Sequence, residues 1–383
     1  MKDSVILDQI MQDEYEWLHR HPEIALQEIQ TTEHIKKFLL DHDIELLDLP
    51  LATGVLAVIS GKKAHPVAAL RADIDALPLQ EETGLPFASQ CPGMMHACGH
   101  DFHTASLLGA ALLLKERQNE LEGTIKLLFQ PAEESASGAE KVLATGLLDD
   151  VDVIFGLHVR ADSIPGTIYI KTGADHAAVD RFLIDIKGNG AHAAHPNLGT
   201  DPIVAAAALI LGFQTVVSRN VDPMNQAVVS ITRMESGTTW NIIPGTAQLE
   251  GTVRTFDDGT RTLVKSRLEA ISAGIGVSYG AEINFSWVSG MPATDNDAAL
   301  VAFVRKTAAD LGLPVEELVA SMGGEDFSIY QQQIPGAMWQ IGVGSNYFLH
   351  HPKFSVDRSA LPKAARLAAA LGEQILLEKK DNS

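Results

Sequence analysis

Apolar residues recur every three or four positions over Ile6–Leu18 and Gln30–Leu40, which predicts two amphipathic helices early in the chain. Between them His19-Arg20-His21-Pro22-Glu23 interrupts the period, and Pro22 predicts a break. Thr31-Thr32-Glu33 supplies a start for the second helix. Short apolar runs then take over. Val55–Ile59 and Val67–Arg71 predict adjacent strands joined by a polar turn, and Ile125–Phe129 and Val153–Phe155 predict two more. Helices over Thr104–Glu116, rich in Ala and Leu, and over Ala136–Thr145 alternate with them. Such alternation predicts a mostly parallel sheet covered by helices.

The order changes near Asp180. Strands at Phe182–Ile186, Ala227–Thr232, Ala247–Arg254 and Ala281–Trp287 enclose a helix over Asp201–Val217, with Pro202 in its first turn, and another within Asp257–Gly274. The sequence β-α-β-β-α-β predicts a compact, ferredoxin-like split sheet. Gly188, Gly190, Ser289-Gly290 and Pro292 mark its borders, and helices at Ala298–Asp310 and Ala360–Leu377 resume the first pattern. The expected class is α/β. A parallel-rich mixed-sheet domain covers 1–179 and 290–383, with a β-α-β-β-α-β domain inserted over 180–289.

Length and charge narrow the function. A chain of 383 residues has room for two or three domains and a large core. A formal net charge of -20 argues against nucleic acid as a partner. The longest apolar runs, Ala105–Leu114 and Ile203–Phe213, are short for a bilayer, and the opening Met-Lys-Asp-Ser lacks a signal-peptide core. No membrane partner is expected. Two cysteines, Cys91 and Cys98, do not make a disulfide scaffold. These features suit a cytoplasmic enzyme with a working thiolate.

The chemistry gathers in Met94–His103, where Cys98 precedes His100 by two residues and His96, Asp101 and His103 crowd the same stretch. Metal sites need thiolate, imidazole and carboxylate close together. Asp73 and Asp75, Glu133 and Glu134, and His158 each follow an apolar strand, where open α/β sheets place their sites. The candidate ligands are Cys98, His100, Glu134, His158, one of His350 and His351, and one aspartate. One metal takes about four ligands, so this inventory suits two metals. Glu133 and Glu134 can divide labour, one holding metal while the other takes a proton from water that the metal acidifies. His19 and His21 read as rim or helix-cap residues.

These motifs resemble the M20 metallopeptidase and aminoacylase superfamily. The similarity is to its amidohydrolase branch of hippurate hydrolases, N-acetyl amino acid deacetylases, N-acetyldiaminopimelate deacetylase and plant auxin-conjugate hydrolases. The resemblance runs through Leu18–Glu23, Arg71–Pro78, Met95–His103, Gln130–Glu134, Gly156–His158, Gly251–Thr255, Gly323–Phe327 and His350–Phe354. It implies two divalent cations, Mn or Zn with Co or Ni admitted, held by Cys98, His100, Glu134, His158 and His350. His350 takes the ligand place in His-x-Pro-x-Phe, ahead of His351. It implies Glu133 as general base and Asp75 as the acid orienting a ligand histidine. Asp73 stands where many members have a ligand histidine.

The resemblance further implies a homodimer through the inserted domain, which acts as a lid. His192 and Asn241 would line the substrate, although Pro196-Asn197 departs from the Pro-His of many relatives. The implied reaction is metal-dependent hydrolysis of N-acyl amino acids, with acetyl favoured, to a carboxylate and a free amino acid. The segments Val216–Asn220 and Gly237–Asn241 look like those of general acyl-amino-acid hydrolases of this branch, among them those acting on acetylated sulfur amino acids, and the amino acid expected is a modest one. N-acetyldiaminopimelate deacetylation and hippurate hydrolysis are the alternatives. A non-catalytic binding protein of the same fold would show a lost base or lost ligands, and neither is seen.

Overall fold

The structure is a computed structural model that describes residues 2–381. It contains two compact units. The first is the chain up to Gly173 with Asp295–Val319 and the segment from Asp326 onward; the second is Ala174–Thr294 with Ala320–Glu325.

The chain opens with α1 (Lys2–Arg20) and α2 (Ile29–Asp41), which bury Met11, Tyr15 and Leu18, and Ile35, Phe38 and Leu39. α2 begins ahead of the Thr31 start read from the sequence, with Glu28 at its N-cap position and Thr31 and Thr32 buried within its first turn. Next come β1 (Glu45–Leu47), β2 (Val55–Ser60), β3 (Val67–Asp73), α3 (His100–Glu116), β4 (Thr124–Gln130), α4 (Gly138–Leu143), β5 (Val153–Arg160) and β6 (Ile168–Ile170). From β7 (Gly173–His176) the chain enters the second unit, with β8 (Ala178–Lys187), β9 (Ala191–His192), α5 (Pro202–Arg219), β10 (Ala227–Ser236), β11 (Ile242–Ile243), β12 (Thr246–Thr255), α6 (Asp258–Tyr279) and β13 (Glu282–Val288). It returns through β14 (Thr294–Asn296), α7 (Ala298–Asp310), β15 (Val315–Glu317), α8 (Phe327–Gln331), β16 (Gly336–Gly342) and α9 (Leu361–Asp381).

The first unit is built on an eight-stranded sheet in the order β1-β2-β4-β3-β5-β16-β6-β15. Its centre, β4-β3-β5-β16, is parallel. β1, β2 and β6 pair antiparallel to their neighbours β2, β4 and β16. The sheet is thus mixed and parallel-rich. β3 and β4 are buried at every position, because helices cover both faces. Ala68, Leu70 and Ala72 face the core under α3 and α9, whereas Val67 and Ala69 face the smaller core under α4 and α8. One expectation is overturned here. β2 and β3 are not neighbours, since β4 lies between them. The 61–66 connection crosses two strand spacings, roughly 10 Å, and a polar turn of that length fits a hairpin and a one-strand skip alike.

The second unit has an antiparallel sheet in the order β10-β12-β8-β13. Burial alternates along β8, with Phe182, Ile184 and Ile186 inward and Arg181, Asp185 and Lys187 outward, as a sheet with one solvated face requires. Asp201 caps α5 by accepting the Ile203 N–H, and Pro202 opens the helix. By length and composition α5 is apolar enough to cross a membrane, with a mean hydropathy of 1.5 over 18 residues, which the shorter run Ile203–Phe213 did not foretell. Its Ala205, Leu209, Phe213 and Val216 nevertheless enter the core of this unit, as on an amphipathic core helix.

Gly251 on β12 sits opposite Phe182 on β8, and a Cβ there would lie 2.2 Å from the Phe182 ring and 2.3 Å from the Ser230 carbonyl oxygen. Gly251→Ala should therefore destabilise the second unit by about 1–3 kcal/mol through overpacking. The check is the urea midpoint followed by Trp287 fluorescence, with an unchanged midpoint contradicting the packing argument.

Candidate metal centre

The parallel strands end on one edge of the first unit, and the chemistry collects there. β3 ends at Asp73, and Asp75 follows it. β4 ends at Gln130, and Pro131-Ala132-Glu133-Glu134 follow. β5 continues beyond the run seen in the sequence, so His158 lies within the strand. His350 comes from the loop after β16.

Cys98 and His100 reach the site through a backbone constraint. Gly99 has φ 83°, and a Cβ on it would meet Val159 at 2.5 Å. Only glycine permits this left-handed turn and this approach to β5. Cys98 Sγ thereby comes to 3.6 Å from His158 Nε2, and His100 becomes the first residue of α3. His350 also has left-handed geometry, φ 62°, and its N–H donates to Ala97 O at 2.8 Å. Its Nε2 lies 3.3 Å from Glu134 Oε1. Donor atoms of Cys98, His100 and His158 lie within 4.8 Å of one another, as do those of Cys98, Glu134 and His350, and those of His100, Glu133 and Glu134.

Hydrogen bonds fix which nitrogens carry lone pairs. His158 Nδ1 lies 2.8 Å from Val159 O and must donate to it, leaving Nε2 unprotonated toward Cys98. Burial and the neighbouring His103 hold the His158 pKa well below the usual imidazole value, so it stays neutral. His103 accepts the Val159 N–H at Nε2 (2.9 Å) and so donates from Nδ1 to Asp73 Oδ1 (2.6 Å). Both its nitrogens are committed, although Asp73, His100 and His103 otherwise cluster closely enough to hold an ion. Asp73 is committed too, because its Oδ2 accepts from Arg71 at 2.8 Å.

His100 differs. Its Nδ1 is 3.3 Å from Asp75 Oδ1, but neither ring nitrogen completes a hydrogen bond of normal geometry, nor does Glu134 Oε1. Burial alone would lower the His100 pKa; the Asp73 and Asp75 carboxylates carry it well above the usual value. Burial, reinforced by Glu134, pushes the Cys98 thiol up, so a cation binding there must displace its proton. These underused buried donors, one sulfur, imidazoles and carboxylates, fit divalent transition-metal ions. Asp75 has a further task, accepting the N–H groups of Glu133 and Glu134 at 3.1 and 3.0 Å.

The structure separates other residues that the sequence crowded together. Asp101 turns from His100 to His19, whose Nδ1 is 2.6 Å from Asp101 Oδ2 and whose Nε2 is 3.3 Å from Glu81. His96 is buried and pushed down to about 4 by that burial. His21 stacks on Trp17, and His351 on Tyr347. In the second unit, His192 pairs with Ile242, and the Ala193 N–H donates to Asn241 O at 3.1 Å, which brings the two expected substrate residues side by side. Sequence reasoning missed Glu28, which is 0 % exposed and accepts the Ala132 N–H at 2.8 Å. Its place just ahead of a helix was the only signal. It also missed the buried mesh in which Arg71 donates to Asp73, Gln130 and Asp326.

His19 supports a pH prediction. Burial lowers its pKa, but Asp101 and Glu81 outweigh that and raise it from 6.5 to about 9. A raised pKa contributes stability that is complete below the unfolded value and is lost as pH rises through the folded one. Wild-type stability should fall between pH 6.5 and 9 relative to His19→Gln, measured by urea midpoints across that range. Parallel curves would contradict the charged pairing.

Residues 69–374 match the model of Peptidase family M20/M25/M40. The chain is 49% identical over 360 residues to an N-acetylcysteine deacetylase of Bacillus subtilis (strain 168), covering 94% of this chain and 95% of that protein. It is likewise 49% identical over 348 residues to an N-acetyl-L-cysteine deacetylase of the same organism, covering 91% and 84%. The crystal structure of the Bacillus subtilis YXEP protein, a dinuclear metal binding peptidase from the M20 family, superposes with a TM-score of 0.89 at 44% identity, covering 97% of this chain and 99% of that one. With the model spanning most of its length and relatives matched nearly end to end, this chain belongs to peptidase family M20/M25/M40 and is a metal-dependent hydrolase.

Proposed function

We propose that the chain hydrolyses N-acyl amino acids, with acetyl as the favoured acyl group and a sulfur amino acid as the favoured remainder. The observation that carries this reading is Glu133 beside Glu134 and His100, a proton acceptor next to residues that also cluster with Cys98. The names of the two deacetylase relatives support the choice of acetyl and cysteine.

Cys98, His100, Glu134, His158 and His350 would hold two divalent cations, Mn or Zn, with Co or Ni admitted by the mixed donors. When bound, such ions polarise the amide carbonyl and lower the pKa of water. Glu133 takes the proton from the attacking water as the new C–O bond forms. It then gives that proton to the leaving nitrogen as the C–N bond breaks, releasing a carboxylate and a free amino acid. Asp75 holds the peptide units of Glu133 and Glu134 and faces His100, which keeps acceptor and donors in register. In this reading 1–179 and 290–383 form the catalytic domain. The ferredoxin-like insert, 180–289, serves as lid and dimerisation domain and presents His192 and Asn241 to the substrate. The enzyme is taken to be a cytoplasmic homodimer.

Glu133→Gln should lower kcat by roughly 10²–10⁴-fold with metal content unchanged by elemental analysis; turnover equal to wild type would sink the assignment. With Mn supplied, kcat/KM should rank acetyl-cysteine derivatives and acetyl-methionine above hippurate and acetyldiaminopimelate. A preference for acetyldiaminopimelate beyond about 100-fold, roughly 2.7 kcal/mol in the transition state, would overturn the substrate ranking.

A further inference from the structure

The turn that presents Glu133 is held in an unfavourable backbone conformation. Ala132 has φ 58°, a left-handed geometry that residues with a Cβ adopt only when their surroundings impose it. What imposes it is visible. Gly54 packs so closely under Pro131 that a Cβ there would lie 2.6 Å from Pro131 Cδ. The Ala132 N–H donates to Glu28 Oε1 at 2.8 Å, and the next two N–H groups donate to Asp75. Three consecutive N–H groups are thus answered by two buried carboxylates. Glu28 occupies the N-cap position of α2, yet its side chain makes no cap hydrogen bond. It crosses instead to a residue 104 positions away. A fully buried carboxylate that leaves its own helix end to hold a strained peptide is costly unless the peptide matters.

We propose that Glu28 is a positioning residue for Glu133, holding Ala132 left-handed so that the Glu133 carboxylate points at the attacking water. The inference rests on the reading of Glu133 as proton acceptor. What Glu28 contributes is a hydrogen-bond acceptor at one point in space. A neutral amide of the same shape offers the same acceptor oxygen to the Ala132 N–H.

The test compares Glu28→Met, Glu28→Gln and Glu28→Met with Ala132→Gly, all as metal-loaded full-length enzyme, alongside Glu133→Gln. Glu28→Met should lose roughly 10- to 100-fold in kcat through misplacement of the base. Its KM should stay within about threefold, and its metal content should not change. Glu28→Gln should stay near wild type. Ala132→Gly should restore much of the loss in the Met background, because glycine enters the left-handed region unaided. If Glu28→Met does not fold, Glu28→Asp withdraws the acceptor by one methylene and carries the same expectation. Wild-type kcat in the Met or Asp variant with an inactive Glu133→Gln would overturn the inference alone. So would equal losses in Met and Gln, or loss of metal together with kcat. An active Glu133→Gln would remove the reading beneath it.

Discussion

Asp75 Oδ1 and Oδ2 accept the N–H groups of Glu133 and Glu134, and the same carboxylate faces His100 Nδ1 at 3.3 Å. It joins three pieces of chain: the segment after β3, the turn after β4 and the start of α3. Without it the N–H groups of the two glutamates would lose their acceptors, and His100 would lose the charge beside its ring. Charge-assisted hydrogen bonds to backbone N–H groups are strong and directional in a buried setting. They let adjacent carboxylates point apart, which is what a division between proton transfer and metal binding needs.

The rest of the buried charge serves to leave the donors unspent. Arg71, fully buried, is answered by Asp73, Gln130 and Asp326 at 2.8 Å each. Tyr330 and the Ala139 N–H complete that mesh. A buried guanidinium missing one of these partners would be strongly destabilising. The mesh also settles Asp73, whose two oxygens are taken by Arg71 and His103. His103 is in turn neutral and saturated. Of the titratable groups crowded at the ends of β3, β4 and β5, those tied to each other drop out of the ligand set. Those left short of partners, His100 and Glu134, are the ones that the proposed ligand set retains.

The second unit follows a different rule. Its sheet has one solvated face, so its strands alternate and their register is legible. In the first unit β3 and β4 are buried on both faces, so each reads as a continuous apolar run with no preferred neighbour. That is why the α/β alternation could be read in advance, while the place of β4 between β2 and β3 could not.

By itself the sequence determined which elements form, because period and turn chemistry are local, and it displayed the donor inventory, Cys98 and His100 through their close spacing and Glu133, Glu134 and His158 through their place after apolar runs. The tertiary structure decided which of these still have lone pairs to offer. His158 Nε2 is open because Val159 O takes its other nitrogen, and His103 is closed because Val159 N and Asp73 take both of its own. Glu28 comes to bear on Ala132 only through the fold. A hydrogen bond across 104 positions leaves no periodicity in the chain, since its geometry depends on how the sheet and helices bring two distant backbones together.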